Sequence, residues 1–466
     1  MRIAFGSLVR KFLASALALI ASAGASLAST TVDCTSTSTA LGTFFSSAVA
    51  AGTTVMVLGT CVGDVIITGI PYPGVTIEQA GGGGQIDGSL VIHSSVVYVN
   101  NITLDGPGDN DGIHVAGGRN GDAIESASSV FLNGVTIENF VNSGISIDTI
   151  GSVIVDGGSI TGNFECGIFI SNGADVQTRG PTIFNNGHNG SDTLPGDQCG
   201  VHVEDGATVT LGVATTIESN NGPALSISQA TARIISEPGT DTLSSPSTSS
   251  LPTVVVRRGA LDVGPDTNIY GTGHSNVIYA TPGSTITMYG VTVSQNDMND
   301  ATVMIADGST FLSLGANMIN NSATNGIAIS VSNASTFRQR NESSFMIQEF
   351  QDTITGNGSV QIESNMELGT GGTTPSSWTG IITVAQNSSL RMDGGITVTG
   401  AVKLTQASNG FFNISNGGQN IVTGGVSCPA TTTPSAHVAG NTVVLTSSGG
   451  PSAVTIGTTP PNCLGF

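Results

Sequence analysis

A repeated set of short aliphatic runs constrains this sequence more than any other feature. The tetrapeptide Gly-Ile-Ser-Ile at 144–147 returns as Gly-Ile-Phe-Ile at 167–170, Gly-Val-His-Val at 200–203 and Ala-Leu-Ser-Ile at 224–227. A second run follows each of the first three, at 152–155, 174–177 and 207–210, and a third follows at 159–160, 182–183 and 216–217. Each third run is followed by an asparagine three residues after its aliphatic residue: Asn163, Asn186 and Asn220.

Repetition at this length is the signature of a solenoid. Within each run, aliphatic residues alternate with other types, which is the period of a half-buried strand. Three such runs per repeat cannot bury their aliphatic side alone, but they can when each run stacks on its copy in the next repeat. The sequence therefore predicts three parallel sheets around one core.

The asparagines of the third run then lie above one another. Asparagine tolerates the left-handed conformation that a sharp corner needs, and its amide can form hydrogen bonds along the stack. The same offset recurs at Asn296 and Asn321. The pattern resembles the right-handed parallel β-helix of the pectate-lyase-like superfamily, and it matches no specific enzyme family within it. The resemblance implies an all-β solenoid with three strands per turn over residues 75–425.

The two ends of the chain differ from this repeat. Residues 1–28 are typical of a secretory signal peptide: basic residues at the start, an apolar stretch over 12–23 that is too short to span a bilayer, and small residues before the cleavage point. We expect residues 29–74 to form an N-terminal cap that includes a short helix over 42–49, and residues 426–466 to form a C-terminal cap. The chain is expected to be secreted or displayed on the cell surface, in an extracellular or periplasmic compartment.

Six cysteines in a secreted chain predict three disulfides. Cys166 and Cys199 each precede the glycine that starts a first run, so in-register stacking places their Cα atoms about 4.8 Å apart, within disulfide range. By proximity, Cys34 pairs with Cys61 and Cys428 with Cys463, closing the two caps.

The charge balance limits the partners. The chain has 12 basic and 32 acidic residues, and three of the basic ones lie within the first 28 residues. A surface this acidic repels nucleic acid and anionic membranes. Polysaccharide or a cell-surface glycan is the expected partner; the oligomeric state is left open.

Long insertions lie between residues 104 and 112, 186 and 199, and 244 and 252, all between a third run and the next first run. Another lies at 116–127 at the following corner. Long loops on a rigid scaffold often bind ligands, although insertions at one corner can also be merely tolerated. Binding residues predicted for this side are Phe169, His188, Asp192 and Asp197.

Outward positions of the first run carry the candidate catalytic groups. His202 lies beside Glu204, and Asp148 lies two turns away, roughly 10 Å by strand spacing. Carboxylates about 5–10 Å apart can hydrolyse glycosides. The alternative is a solvated sheet face with scattered polar residues.

The loop 105–111 brings Asp105, Asp109 and Asp111 together, an oxygen-rich set that suits calcium as a possible cofactor. Its spacing is not that of an EF-hand.

The resemblance argues against the best-known activities of the superfamily. It implies that the second run forms the sheet that usually carries the sugar cleft, yet the outward residues there are Ile154, Gln177, Thr210 and Arg233, with no carboxylate cluster and no evident partner for Arg233. The sequence therefore favours a secreted surface or matrix protein that binds glycan or another surface through its loop-bearing side without catalysis. The alternatives are a polysaccharide hydrolase or lyase-like enzyme using His202, Glu204 and Asp148, and an autotransporter-like passenger, which the lack of a following barrel pattern weakens.

Overall fold

The chain folds as a parallel β-helix with three strands per turn. The structure, a computed structural model, describes residues 28–341 except 82, 107–109, 117–126, 149, 188–197, 213, 236–238, 246–249, 272–274, 296–299, 315–317, 322–326 and 332–334. Beyond residue 341 it describes only strands. The first described strand (Ser29–Asp33) pairs in parallel with the second (Thr54–Leu58). From the second strand onward, the strands pair in parallel with those three places away in the chain, so successive strands belong to three different sheets.

The first sheet contains the first runs of the repeat. Its strands are β4 (Val65–Thr68), β7 (Leu90–His93), β10 (Ile113–Ala116), β13 (Ile145–Ile147), β16 (Ile168–Ile170), β19 (Val201–Glu204), β22 (Leu225–Ser228), β25 (Val254–Arg257), β28 (Ile278–Ala280), β31 (Ala301–Ile305), β34 (Ile327–Val331), β37 (Ser359–Ile362), β40 (Ile381–Val384), β43 (Val402–Leu404) and β46 (Val426–Ser427).

The second sheet contains the second runs. Its strands are β1 (Ser29–Asp33), β2 (Thr54–Leu58), β5 (Val75–Gln79), β8 (Val96–Asn100), β11 (Ser128–Asn133), β14 (Gly151–Asp156), β17 (Asp175–Arg179), β20 (Thr208–Gly212), β23 (Thr231–Ile235), β26 (Ala260–Val263), β29 (Thr285–Tyr289), β32 (Thr310–Leu314), β35 (Thr336–Asn341), β38 (Asn365–Thr370), β41 (Ser389–Asp393), β44 (Phe411–Ser415) and β47 (Thr442–Leu445).

The third sheet contains the third runs. Its strands are β3 (Thr60–Val62), β6 (Gln85–Asp87), β9 (Thr103–Asp105), β12 (Thr136–Glu138), β15 (Ser159–Thr161), β18 (Thr182–Phe184), β21 (Thr216–Glu218), β24 (Asp241–Ser244), β27 (Thr267–Tyr270), β30 (Thr292–Gln295), β33 (Met318–Asn321), β36 (Thr353–Gly356), β39 (Ser377–Thr379), β42 (Thr397–Thr399), β45 (Ile421–Val422) and β48 (Thr455–Ile456).

The predicted register is confirmed at the repeat that defined it. Ile145 is aligned with Ile168, and Ile168 with Val201. All three side chains are fully buried, and burying an aliphatic side chain of this size contributes about 1.5–3 kcal/mol. The solenoid core therefore consists of columns of aliphatic side chains that run along the inside of each sheet. Each turn contributes one residue to a column.

A ladder of buried asparagines follows the third sheet. Asn163 Nδ2 donates to Asn186 Oδ1 at 2.9 Å, and Asn186 Nδ2 donates to Asn220 Oδ1 at 2.9 Å. Phe140 occupies the same offset one turn earlier, and its backbone N–H donates to Asn163 Oδ1 at 3.1 Å. The ladder thus satisfies backbone and amide groups that would otherwise be buried unpaired. Asn296 lies outside the described residues, and Asn321 is the last residue of β33.

The left-handed residue of this corner is not the ladder asparagine, as the sequence suggested, but the residue before it. Positive φ values occur at Gly162 (68°), Asn185 (57°) and Ser219 (55°). The chain therefore changes direction at the residue before each ladder asparagine, and the asparagine side chain points into the interior. The glycine that starts the next run is also explained, because a Cβ on Gly167 would lie 2.5 Å from Ile183 Cγ2.

Two of the three predicted disulfides are confirmed, and the third lies outside the described residues at Cys428 and Cys463. Cys34 is bonded to Cys61 and Cys166 to Cys199, the latter with a Cα–Cα distance of 4.4 Å. The second bond joins consecutive turns at the entry to β16 and β19, and therefore ties the first sheet together where a long insertion interrupts the chain.

The segment predicted to form the N-terminal cap contributes strands of its own. β1 to β4 extend all three sheets, and a six-residue helix, α1 (Ala40–Phe45), buries Leu41 and Phe45 against the end of the core. The helix begins two residues before the predicted range. Its position covers the open end of the apolar columns, which a solenoid needs for solubility. The boundary at residue 75 stays a prediction.

In the described part of the chain no helix has the length and apolar character needed to cross a bilayer.

Candidate functional site

The outer face of the first sheet carries polar side chains that are shielded from solvent. Successive strands present outward, in one column, His114, Ser146, Phe169, His202, Ser226, Val255 and Tyr279. Ser146, His202 and Ser226 are only 4–6% exposed although they point away from the solenoid core. These three side chains are therefore covered by their neighbours on the face, whereas Asp148 on the same face is 44% exposed.

His114 on β10 lies between two carboxylates. Its Nδ1 is 3.2 Å from Asp111 Oδ2, and its Nε2 is 3.4 Å from Asp148 Oδ2. The hydrogen bond to Asp111, with the charges of Asp148 and Asp111, raises the pKa of His114 above its ordinary value of 6.5, against the opposing effect of burial. His114 therefore keeps its proton to a higher pH than an ordinary histidine.

Both carboxylates of this group are fixed by further hydrogen bonds. The backbone N–H of Ser143 donates to Asp111 Oδ1 at 3.0 Å, and Ser146 Oγ donates to Asp148 Oδ1 at 3.2 Å. The group is thus an ordered Asp–His–Asp arrangement built from one connection, one strand and the end of the next strand.

A second histidine–carboxylate pair lies on β19. His202 Nε2 is 3.2 Å from Glu204 Oε2, and the side chains are 8% and 33% exposed. The His202 ring stacks on Phe169 with a centroid distance of 5.5 Å and an angle of 7° between the ring planes. In the described part of the chain the buried Nδ1 of His202 has no hydrogen-bond partner. The stack and the carboxylate hold the ring in one orientation, with one face covered by Phe169.

The structure divides the predicted catalytic set. His202 and Glu204 are in contact, but Asp148 contacts His114 instead. β13 and β19 are two strand spacings apart, about 10 Å at the backbone. Two separate histidine–carboxylate groups therefore share one face.

Sequence reasoning missed His114 as a functional residue and assigned Asp111 to calcium binding. The signal was present, because His114 occupies the register position of His202 and Asp111 lies three residues before it. It was missed because Asp111 precedes the strand rather than lying on it.

The predicted calcium loop is only partly described. Asp105 Oδ1 accepts a hydrogen bond from Asn139 Nδ2 at 3.0 Å, whereas Asp111 faces His114. Asp109 lies outside the described residues. Within the described ranges no group of three or more histidine, cysteine or acidic residues is arranged to hold a metal ion. Calcium binding stays a prediction.

Of the four predicted binding residues, the structure describes Phe169 only. Phe169 is half-buried in the ring stack described above. His188, Asp192 and Asp197 lie outside the described residues, so their part in binding stays a prediction.

The outer face of the second sheet is different in kind. Tyr98 and Phe131 stack there with a centroid distance of 4.7 Å, and burial, with the neighbouring Tyr72, raises the pKa of Tyr98. Arg233, for which the sequence indicated no partner, lies 3.6 Å from Asp262, with both side chains more than half exposed. This face thus carries a solvated ion pair and an aromatic stack rather than enclosed titratable groups.

Comparison with known proteins places the chain in no family. No family model and no curated protein matches it. Among solved structures it is similar to a mutant of DFA-IIIase from Arthrobacter chlorophenolicus in complex with DFA-III, with 10% identity and a TM-score of 0.25 over 84% of this chain and 90% of that one. A likeness this weak carries no argument about activity.

Proposed function

We propose that this protein is a secreted carbohydrate-active enzyme that cleaves a glycan on the outer face of the first sheet. The observation that carries the proposal is the presence of two histidine–carboxylate groups on one sheet face, about two strand spacings apart, with His202 buried and the carboxylates partly exposed. Titratable groups whose environments differ in this way are typical of acid–base sites. This reverses the preference that the sequence alone suggested, which was binding without catalysis.

The two carboxylates have different surroundings and are given different roles. Asp148 is held in place by His114 and by Ser146 Oγ, and we assign it the role of general base. Glu204 shares a hydrogen bond with His202 Nε2 and can pass a proton to a leaving oxygen. In hydrolysis, water gives its proton to Asp148 as its oxygen bonds to the anomeric carbon. The glycosidic C–O bond breaks, and the leaving oxygen takes the proton of Glu204.

The separation of the two groups predicts the stereochemistry. Inverting glycosidases place their carboxyl groups about 6.5–9.5 Å apart to admit a water, whereas retaining enzymes need about 5–5.5 Å. The backbone separation of about 10 Å between β13 and β19 is nearer the wider of these two ranges. We therefore propose inversion at the anomeric carbon.

Secretion is part of the same proposal. The signal-peptide pattern over residues 1–28 supports it, and the disulfides Cys34–Cys61 and Cys166–Cys199 are typical of oxidising compartments. The acidic balance of the chain favours neutral glycans over polyanionic ones as substrate.

The test is turnover by the mature chain on a panel of neutral and acidic polysaccharides, followed by reducing-sugar release and by NMR of the first-formed anomer. Glu204→Gln and Asp148→Asn should each lower kcat by about 10²–10⁴-fold, the range that one general acid or base supplies. Asp262→Asn, on the second sheet, is the matched control and should leave turnover unchanged. Turnover that survives Glu204→Gln removes this site from consideration.

Binding without catalysis is the second candidate. The observation that favours it is the second sheet, whose outward Gln177 and Thr210 are half-buried, uncharged and beside the exposed Arg233. Saturable glycan binding by the wild-type chain, with no product on any polysaccharide, would establish this function instead.

A further inference from the structure

A cleft of about 220 Å³ opens on the first sheet beyond the catalytic groups proposed above. It is lined by Pro223, Leu251, Pro252, Val255, Arg257, Asn276 and Tyr279. In the outward column of the sheet, Ser226 separates Val255 from His202. The cleft is therefore distinct from the histidine–carboxylate groups and about two strand spacings, or about 10 Å, from the nearer one.

The floor of the cleft is apolar and aromatic. Val255 and Tyr279 are register partners on adjacent strands, and Val255 is only 4% exposed although it points outward. Leu251 and Pro252, which are separated from β25 by one residue, also line the cleft beside this floor. Five of the seven lining residues are proline, aliphatic or aromatic, so the cleft offers few hydrogen-bond partners to a polar ligand.

One cation stands at the side of this apolar surface. Arg257 lies two residues after Val255 and so faces outward on the same strand, with its side chain exposed. In the described part of the chain no carboxylate lies within ion-pair distance of Arg257, in contrast to Arg233 with Asp262. Its guanidinium is free to bind an anion, and it can hold a carboxylate through two parallel hydrogen bonds.

Another lining residue of the cleft, Asn276, is held in place by a hydrogen bond to the backbone. Asn276, which is 9% exposed, donates from Nδ2 to the carbonyl of Ala301 at 2.6 Å. This bond ties Asn276, two residues before β28, to the next turn, so this wall of the cleft is held in place.

We infer that this cleft binds a small aromatic carboxylate. The ring packs on Val255 and Tyr279 beside Leu251, and the carboxylate meets Arg257 at the exposed side. A volume of about 220 Å³ is below the roughly 300–1,000 Å³ of drug-sized pockets and suits one ring. An acidic sugar carries a carboxylate for Arg257 but has no apolar ring to pack on Val255 and Tyr279. Its hydroxyl groups would lose their hydrogen bonds to water against the apolar walls and gain none in return.

The experiment is isothermal titration of the full mature chain with benzoate, benzyl alcohol and glucuronate. We expect saturable benzoate binding, with benzyl alcohol and glucuronate each at least tenfold weaker, because each lacks one of the two features recognised. Arg257→Gln should weaken benzoate at least tenfold and remove the preference over benzyl alcohol.

The matched control is Arg179→Gln, an exposed arginine at the end of β17 on the second sheet, which should leave benzoate affinity unchanged. If Arg257→Gln does not fold, Arg257→Lys takes its place and should weaken benzoate by a smaller factor while benzyl alcohol is unaffected. Absence of saturable benzoate binding, equal affinity for glucuronate, or benzoate affinity unaffected by the Arg257 variant would each overturn the inference.

Discussion

The outer faces of the first and second sheets have the same backbone and opposite chemistry. On the inside, both sheets bury aliphatic columns of the same kind, such as Ile168 and Val176, each with no exposed surface. On the outside, the first sheet encloses His202 and Ser226, whereas the second leaves Arg233 more than half exposed. The fold therefore fixes the inside of each turn, and function can differ only on the outside.

The largest expected effect tests whether the inward-facing aliphatic columns of the first and second sheets are equivalent. Ile168→Asp and Val176→Asp should each destabilise the protein by several kcal/mol or prevent folding, because each buries a carboxylate in an aliphatic column. Phe169→Asp, at an outward half-buried position, should cost clearly less. The measurement is thermal unfolding followed by circular dichroism. Equal losses for Ile168→Asp and Phe169→Asp would show that the inward and outward assignment is wrong.

The disulfide Cys166–Cys199 gives the next largest effect. Replacing both cysteines by alanine should lower the free energy of unfolding by about 3–4 kcal/mol, since the bond closes a segment with a sequence separation of 33 residues. Denaturant unfolding of the variant and wild type measures the difference. If the variant were as stable as the wild type, the first sheet would be held at this point by its backbone hydrogen bonds and packing, without a contribution from the disulfide.

A matched pair of substitutions compares the outer faces directly. Ser226→Asp on β22 should destabilise by about 2 kcal/mol, because a buried position receives a charge. Thr210→Asp on β20, half-buried and beside Arg233, should stay within about 0.5 kcal/mol of wild type. The same unfolding experiment measures both. If the two costs are alike, the first sheet is no more enclosed than the second.

The smallest effect concerns pH and His114. Its pKa is raised in the folded state, so the stabilisation is complete below the unfolded pKa of about 6.5 and is lost as pH rises through the folded value. The stability difference between wild type and His114→Gln should therefore shrink as pH rises from 5 to 9. Unfolding temperatures over this range test it.

Arg233→Gln is the control on the other face. The Arg233–Asp262 pair is solvated, so its loss should change stability by less than about 1 kcal/mol, and equally at every pH in that range. A difference that grew with pH for His114→Gln would contradict the assignment of its partners.

Much of the solenoid was predictable from sequence because its repeat is local and regular. Alternation identified Ile145 and Ile168 as inward, and the fixed offset identified Asn163 and Asn186 as stacked. The same offset after Ile137 gives Phe140, which could have been recognised as the end of the ladder.

The site was harder to predict for a physical reason. Alternation separates inward from outward residues but does not say whether an outward residue is shielded, so the burial of Ser146 and His202 was not foreseen. The contact of Asp148 with His114 depends on a side-chain direction that spacing does not encode. The stack of Tyr98 on Phe131 joins residues 33 positions apart and required the register to be carried across an insertion.

The asparagine ladder also bears on how such a protein can change length. Asn163 and Asn186 are 23 residues apart, and each satisfies the next through identical bonds. Duplication or deletion of one such unit would present the same donor and acceptor to the neighbouring turn, so the chain could gain or lose a turn without unpairing the corner. A change of any other length inside a strand would shift every inward residue outward or break the ladder. The strands and asparagine corners can therefore be gained or lost only in whole turns, while the insertions between the third and first sheets remain free to vary by single residues.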